Sequence, residues 1–192
     1  MLRDLVLKNR SYRGYDESYR FSREELLDFV DLARQTAASA NIQPLKYHIA
    51  YEKEQVDKIQ PLTRWAGSLP QLNLPYPGTR PTAFITICQD MNIGSNPTSF
   101  LPDVGITAQT ILLAATEKGL GGCMIGSFEK AELKTLLNLP EYIEPKLVIA
   151  LGKPAEEIIL TEPKKDGSVK YYRSEDGKTH YVPKRKLEDI IL

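Results

Sequence analysis

The chain has 192 residues, of which 42% are hydrophobic and 26% are charged, as is usual for one globular domain with its own core. Its 25 basic and 25 acidic side chains cancel, which argues against a general binder of nucleic acid or of a membrane surface. No apolar run approaches the roughly 20 residues of a membrane span, and the N-terminus lacks a signal-peptide core, so a cytoplasmic protein is expected.

The residue pattern in the first half of the chain predicts two helices followed by a strand. Apolar spacing indicates a short amphipathic helix that ends near Asn9. Ser22 precedes Glu25 by three residues, which is a capping-box signature, and the helix that it opens cannot continue through Pro44. Residues 46–51 alternate between apolar and other side chains, as a strand does.

Residues 104–115 are apolar on nearly every helical face, which predicts a buried central helix with Gly119 as its C-cap. A glycine turn and residues 123–127 follow. Such a segment can bring backbone N–H groups close to a flat ligand; the alternative is a core helix with a flexible exit. The other predicted elements are a helix over residues 54–65, a lid or binding loop over 66–81, strands at 83–88 and 146–151, a helix at 130–137, and a strand near Tyr181.

Residues 155–192 differ in composition from the rest of the chain. They are mostly polar and become apolar again only at the extreme C-terminus. Such a segment has little to pack on within its own chain, so we expect it to lie across the body of the domain or across a partner subunit. The pattern as a whole predicts a helix-rich α+β domain.

A self-contained catalytic centre is difficult to assemble from this sequence. With only His48 and His180, a histidine-based triad or metal site is poorly supplied, and His48 is expected to be structural. Cys123 follows the glycine turn, but nothing near it in sequence offers a general base, which disfavours a nucleophilic thiol. These features favour a protein in which a bound cofactor supplies the reaction chemistry.

Three polar clusters are candidates for binding such a cofactor. Arg10 and Arg13 flank Ser11, and Lys184, Arg185 and Lys186 form a basic run; both clusters suit a phosphate monoester, although each could be a solvated surface. The third cluster, called the Ser39 cluster below, contains Ser39, Asn41 and Gln43. Its amides could bind the edge of a heterocycle or merely cap a helix.

These pieces, in this order, resemble the FMN-dependent nitroreductase family. The motifs are Arg10-Ser11-Tyr12-Arg13, then Ser39-Ala40-Asn41-Ile42-Gln43-Pro44, then Gly105-Ile106-Thr107-Ala108-Gln109 with Gly119-Leu120-Gly121, and the run at residues 184–186. The resemblance spans almost the whole chain.

The resemblance implies a fold and a function. The expected fold is an α+β three-layer sandwich with a mainly antiparallel central sheet flanked by helices. It would form one domain over residues 1–192 in an intertwined homodimer, with residues 155–192 reaching over the partner. The implied activity transfers hydride from NAD(P)H through N5 of bound FMN to a nitroaromatic, quinone or similar small acceptor, by a ping-pong mechanism. The alternative is a protein that binds, sequesters or senses flavin without significant turnover.

The resemblance also implies roles for particular residues. Arg10, Ser11 and Lys184, Arg185 and Lys186 resemble the phosphate and ribityl contacts, and Arg13 the basic group near flavin N1 and O2 that stabilises the reduced anion. Ala38 and Ser39 would line the flavin from the other subunit, with Asn41 and Gln43 supporting them. Ile125, Gly126 and Ser127 match the segment that faces N5. The chain departs from the family pattern at Asn9, at the pair Ala37-Ala38 and at Leu45.

Overall fold

A central antiparallel sheet organises the structure, which is a computed structural model that describes residues 1–69 and 71–192. The five strands of this sheet are β1 (Tyr15–Asp16), β2 (Leu45–Ala50), β3 (Ala83–Asp90), β4 (Gly121–Ile125) and β5 (Ile143–Pro154). β5 pairs with β3 along one edge and with β4 and then β1 along the other, while β2 pairs with β3. The predicted strands at 46–51, 83–88 and 146–151 are therefore confirmed.

Helices cover both faces of the central sheet. They are α1 (Leu2–Lys8), α2 (Arg23–Arg34), α3 (Lys53–Ile59), α4 (Leu101–Glu117) and α5 (Lys130–Leu136). Alternate residues of β3 belong to two different cores: Ile85 and Ile87 pack with α2 and α4, whereas Phe84 packs with α3 and α5. Because side chains alternate across a strand, this division shows the three layers of the expected α+β sandwich. None of the described helices is long and apolar enough to cross a membrane.

The predicted capping box begins α2. The Ser22 hydroxyl accepts a hydrogen bond from the Glu25 N–H at 3.2 Å, and the Glu25 carboxylate accepts one from the Ser22 N–H at 2.8 Å. The helix ends at Arg34, earlier than the sequence indicated. A 3-10 helix at Ser39–Asn41 follows, in which Ala40 and Asn41 have φ values of 49° and 56°. This left-handed backbone is incompatible with a continued α-helix.

The central helix α4 is confirmed, with Gly119 just beyond it at a φ of 75°. The expectation of burial on every face is wrong, however. Ile106 is 43% exposed, although most apolar residues of the predicted range 104–115 are buried.

The glycine turn after α4 leads directly into strand β4, which the sequence did not predict. Gly121 and Gly122 pair with Gly152 and Leu151 of β5. A Cβ on Gly121 would lie 2.5 Å from the ring of Tyr12, and one on Gly122 would lie 2.7 Å from a methyl group of Leu112. These two glycines therefore allow close packing within the chain.

The C-terminal segment forms a second, smaller sheet. Its strands are β6 (Glu157–Thr161), β7 (Tyr172–Arg173) and β8 (Thr179–Pro183), with β8 parallel to β6 and antiparallel to β7. The strand predicted near Tyr181 is thus confirmed. This sheet contacts its own chain at Arg13, through Glu156 and Tyr171 beside its strands. Residues 184–192 are exposed in the single chain. The reach of residues 155–192 over a partner subunit stays a prediction.

The other predicted helices differ in detail. The helix over residues 54–65 is divided at Pro61 into α3 and a 3-10 helix at Gln60–Leu62. In the loop over residues 66–81, of which residue 70 lies outside the described residues, Ala66, Leu69 and Leu74 form a small buried cluster.

Candidate functional site

A cavity of about 320 Å³, called the arginine cavity below, lies where the segment after α1 meets α4, β4 and the small sheet. It brings together Arg10, Ser11 and Arg13 from the N-terminal motif with Lys184 from the basic run. Two clusters that are about 170 residues apart in sequence therefore share one cavity. The remaining lining residues are Asn9, Gln109, Leu112, Met124, Ile158, Tyr171, His180 and Val182.

The N-terminal motif is held in place by β4. Ser11 forms a parallel bridge with Gly122, and the Tyr12 N–H donates to the Gly122 carbonyl at 3.1 Å. The ring of Tyr12 lies against Gly121, where a larger residue would displace it. The glycine pair thus allows the arginine-bearing segment to run directly beside the central sheet.

The small sheet fixes Arg13 from the other side. Its guanidinium donates to the Ser11 carbonyl at 3.0 Å and lies over the ring of Tyr171, 5.3 Å from the centroid. Its backbone N–H donates to the carboxylate of Glu156, which also forms an ion pair with Arg173. The side chains of that pair are only 4% and 5% exposed. A cation-π contact and a buried carboxylate therefore restrict the position of Arg13.

Arg10 supplies a hydrogen-bond donor that the chain itself does not use. One terminal nitrogen of its guanidinium donates to the Val6 carbonyl at 2.7 Å, but its buried Nε has no partner among the described residues. Burying such a donor without an acceptor is costly. Arg10, Arg13 and Lys184 bring three positive charges to the cavity, while the nearby Glu156 is already paired. This donor set fits a phosphate monoester.

Burial changes the pKa values of several groups near the cavity. It raises the pKa of the Cys123 thiol, which stays protonated at neutral pH; this agrees with the sequence argument against a nucleophilic cysteine. It also lowers the pKa of His180 to about 4, assisted by the positive charges of Arg173 and Arg13. His180 is therefore neutral at physiological pH.

The Ser39 cluster does not line the arginine cavity. Ser39 donates through its N–H and its hydroxyl to the Asp103 carboxylate at 3.0 and 2.6 Å, which anchors the 3-10 helix to the start of α4. The Gln43 amide donates to Asn41 Oδ1 at 2.9 Å. Ala38, Gln43 and Leu45 line a small cavity of about 120 Å³ that shares no residue with the arginine cavity. The single chain does not bring the two clusters together.

The segment expected to face N5 lies at the end of β4. Ile125 is buried and pairs with Val148, after which Gly126 and Ser127 leave the sheet and become exposed. The Ser127 carbonyl accepts a hydrogen bond from the Arg64 N–H at 2.9 Å, and the space beside Gly126 is open. This backbone is accessible to a flat molecule.

The basic run is divided by the structure. Lys184 lines the arginine cavity, whereas Arg185 and Lys186 are exposed and do not line it. Sequence reasoning missed Gln109 and His180 as lining residues. Gln109 belongs to one of the quoted motifs and could have been included, but His180 lines the cavity only because of the unpredicted pairing of β8 with β6 and β7.

Comparisons with known proteins point to one family. The family model described as the nitroreductase family matches residues 94–153, which include α4, β4 and most of β5. A protein of Methanothermobacter thermautotrophicus, provisionally named NADH dehydrogenase/NAD(P)H nitroreductase, is 28% identical over 158 residues, covering 80% of this chain and 77% of that protein. By these comparisons, the chain resembles members of the nitroreductase family. The resemblance seen in the sequence motifs is thereby confirmed.

Solved structures of nitroreductases share the fold. A nitroreductase family protein from Streptococcus pneumoniae superposes with a TM-score of 0.70 at 16% identity, over 100% of this chain and 99% of that one. A provisionally named nitroreductase from Exiguobacterium sibiricum, solved in complex with FMN, superposes with a TM-score of 0.67 at 19% identity, over 81% of this chain and 89% of that one. The nitroreductase fold predicted from the motifs is therefore confirmed.

Proposed function

We propose that this protein is an FMN-dependent oxidoreductase that uses NAD(P)H to reduce a nitroaromatic, a quinone or a similar small acceptor. The observation that carries the proposal is the arginine cavity, in which Arg10, Ser11, Arg13 and Lys184 meet close to strand β4. The names of the relatives support it, because the Methanothermobacter protein is named for NAD(P)H and the Exiguobacterium structure contains FMN.

Arg10, Ser11 and Lys184 would hold the phosphate of FMN. The unpartnered Nε of Arg10 is a donor that a phosphate oxygen would satisfy, and Lys184 adds a positive charge. Charge-assisted hydrogen bonds of this kind are about twice as strong as neutral ones. The adjacent Asn9 lines the same cavity but adds no charge. Phosphate binding would therefore depend mainly on Arg10, Ser11 and Lys184.

Arg13 would stabilise negative charge on the ring system. Because Tyr171 and Glu156 already hold this residue in place, its guanidinium needs little reorganisation when charge develops beside it. Bound FMN would supply the chemistry that these side chains lack, which is hydride and electron transfer between NAD(P)H and the acceptor. The exposed backbone at Gly126 and Ser127 would orient the ring system without blocking its reacting face.

A homodimer would complete this site. The exposed apolar side chains of α4 and of the C-terminus, such as Leu101, Ile106 and Ile191, need a covering surface, which a second copy could provide. The Ser39 cluster, which does not line the arginine cavity of its own chain, would then line the flavin of the partner. Light scattering on the eluting protein should give twice the chain mass of 21.7 kDa. A monomer would contradict this part of the proposal.

The deciding experiment is the visible absorption spectrum of the purified protein, reconstituted with FMN if needed, before and after anaerobic addition of NADH or NADPH. A yellow protein that bleaches supports the oxidoreductase, and the more effective nucleotide identifies the donor. A yellow protein that does not bleach would favour flavin binding, sequestration or sensing. A colourless protein that takes up no FMN would overturn both. Parallel initial-rate lines would then support alternating half-reactions at one site.

A further inference from the structure

One polar side chain in the arginine cavity has no role in the function proposed above. His180, in strand β8, is only 1% exposed and lines the cavity together with Arg13 and Lys184. Its Nδ1 is buried and has no hydrogen-bond partner among the described residues. Like the Nε of Arg10, it is a polar atom that the chain itself leaves unsatisfied at this site.

The surroundings of His180 hold its ring in position. The ring of Tyr171 packs against it, with the two ring centroids 5.1 Å apart, and strand pairing places Arg173 directly opposite on β7. The charged groups around it are Arg13, Arg173 and Lys184, with Glu156 paired to Arg173. The environment is therefore rich in positive charge.

We propose that His180 is a phosphate-binding residue, whose Nδ1–H donates a hydrogen bond to the phosphate monoester held by Arg10 and Lys184. This inference rests on the proposed function and extends it to a residue outside every motif that suggested the family. A phosphate has more acceptor sites than Arg10 and Lys184 can occupy, and a buried donor without a partner satisfies one of them.

Phosphate binding should change the protonation of His180. In the free protein, burial and two neighbouring arginines keep the imidazole neutral, with a pKa of about 4. A bound phosphate dianion would offset that positive charge and favour the imidazolium, so the pKa of His180 should rise on binding. Binding would then be accompanied by proton uptake at acidic pH, between the pKa of His180 in the free protein and its raised pKa in the bound protein.

Nuclear magnetic resonance of the histidine rings tests this directly, because the chain has only two histidines. The rings are titrated from pH 8 to pH 4 without ligand, with inorganic phosphate, and with FMN. We expect the pKa of His180 to rise by about one unit or more with either ligand. The pKa of His48, which lies away from the cavity on strand β2, should not change. An unchanged pKa of His180 when ligand is demonstrably bound would overturn the proposal.

Substitutions separate a phosphate contact from a structural role. His180→Leu should weaken the binding of FMN about tenfold, while the affinity for riboflavin, which lacks the phosphate, changes little. His180→Asn, whose amide N–H can replace Nδ1–H, should retain most of the affinity for FMN. His48→Asn is the matched control. Equal losses for FMN and riboflavin in His180→Leu, or no loss at all, would contradict the proposal.

The two proposals can fail separately. If FMN binds but His180 does not respond, the inference is wrong and the proposed function stands. If FMN does not bind while inorganic phosphate still raises the pKa of His180, the function is wrong and His180 remains a phosphate-binding residue. If neither ligand affects His180, its buried nitrogen is only structural.

Discussion

The central sheet and the small C-terminal sheet are stabilised in different ways. All eight residues of β3 are buried between two helical layers. The small sheet is mostly half-exposed and depends on specific contacts: the ion pair of Glu156 with Arg173, and the stacked rings of Tyr172 and Tyr181 with centroids 4.9 Å apart. The central sheet is therefore stabilised mainly by buried apolar area, whereas the small sheet is stabilised by a few directional interactions.

This difference explains where the polar cavity can form. A sheet buried on both faces leaves no room for uncompensated charge. The small sheet, with one side against the body, can present His180 and Tyr171 to the arginines of the N-terminal motif. The central sheet therefore positions the site, and the small sheet closes it.

The largest expected effect tests the central sheet. Phe84→Ala should lower the free energy of unfolding by about 3–5 kcal/mol, because it leaves a cavity in a fully buried strand. Tyr172→Ala, the matched change in the small sheet, should cost about 1 kcal/mol, since that ring is partly exposed. Urea unfolding measures both. Equal losses would contradict the division between the two sheets.

Breaking the buried ion pair tests how the small sheet is held. Glu156→Ala should lower the free energy of unfolding by about 3 kcal/mol, because it leaves Arg173 buried without its partner and removes the acceptor of the Arg13 N–H. Hydrogen exchange should show faster opening of β6, β7 and β8. The exposed neighbour Glu157 provides the control, and Glu157→Ala should change stability by less than about 0.5 kcal/mol.

Two glycines at opposite ends of the β4 region should respond differently. Gly122→Ala should destabilise the protein by about 2 kcal/mol, since the added methyl group meets Leu112 and the backbone of Ala150. Gly126→Ala, at an open position, should leave stability within about 0.5 kcal/mol. Thermal unfolding of the two variants measures the difference. A stability loss at Gly126 as large as that at Gly122 would refute the packing explanation.

The last effect concerns pH and is absent near neutral pH. The folded protein keeps the pKa of His180 near 4, below its ordinary value of 6.5, so the unfolded chain binds a proton that the folded one does not. The free energy of unfolding should therefore decrease as the pH falls from about 6.5 towards 4. His180→Asn should flatten this slope in urea titrations. The pKa of His48 is also lowered by burial, so His48→Asn shows its separate share. An unchanged slope in His180→Asn would contradict this account.

Local sequence patterns were sufficient to predict much of this protein. The capping box at Ser22 and Glu25, the apolar strands and the long apolar helix before Gly119 each depend on neighbouring residues, which is why they could be read directly. The spacing of the motifs was enough to predict the nitroreductase family, and hence the three-layer fold.

Tertiary structure decided the rest, because the remaining features depend on contacts between residues far apart in sequence. Glycines at 121 and 122 looked like a turn, but their pairing with β5 makes them a strand. The polar C-terminal segment lacked a core pattern, yet the contacts of Glu156, Arg173 and Tyr171 fold it onto its own chain. The sequence by itself determined that two basic clusters exist. Only the folded chain showed that Lys184 joins Arg10 and Arg13 around one cavity while Arg185 and Lys186 do not, since that choice depends on the direction in which β8 ends.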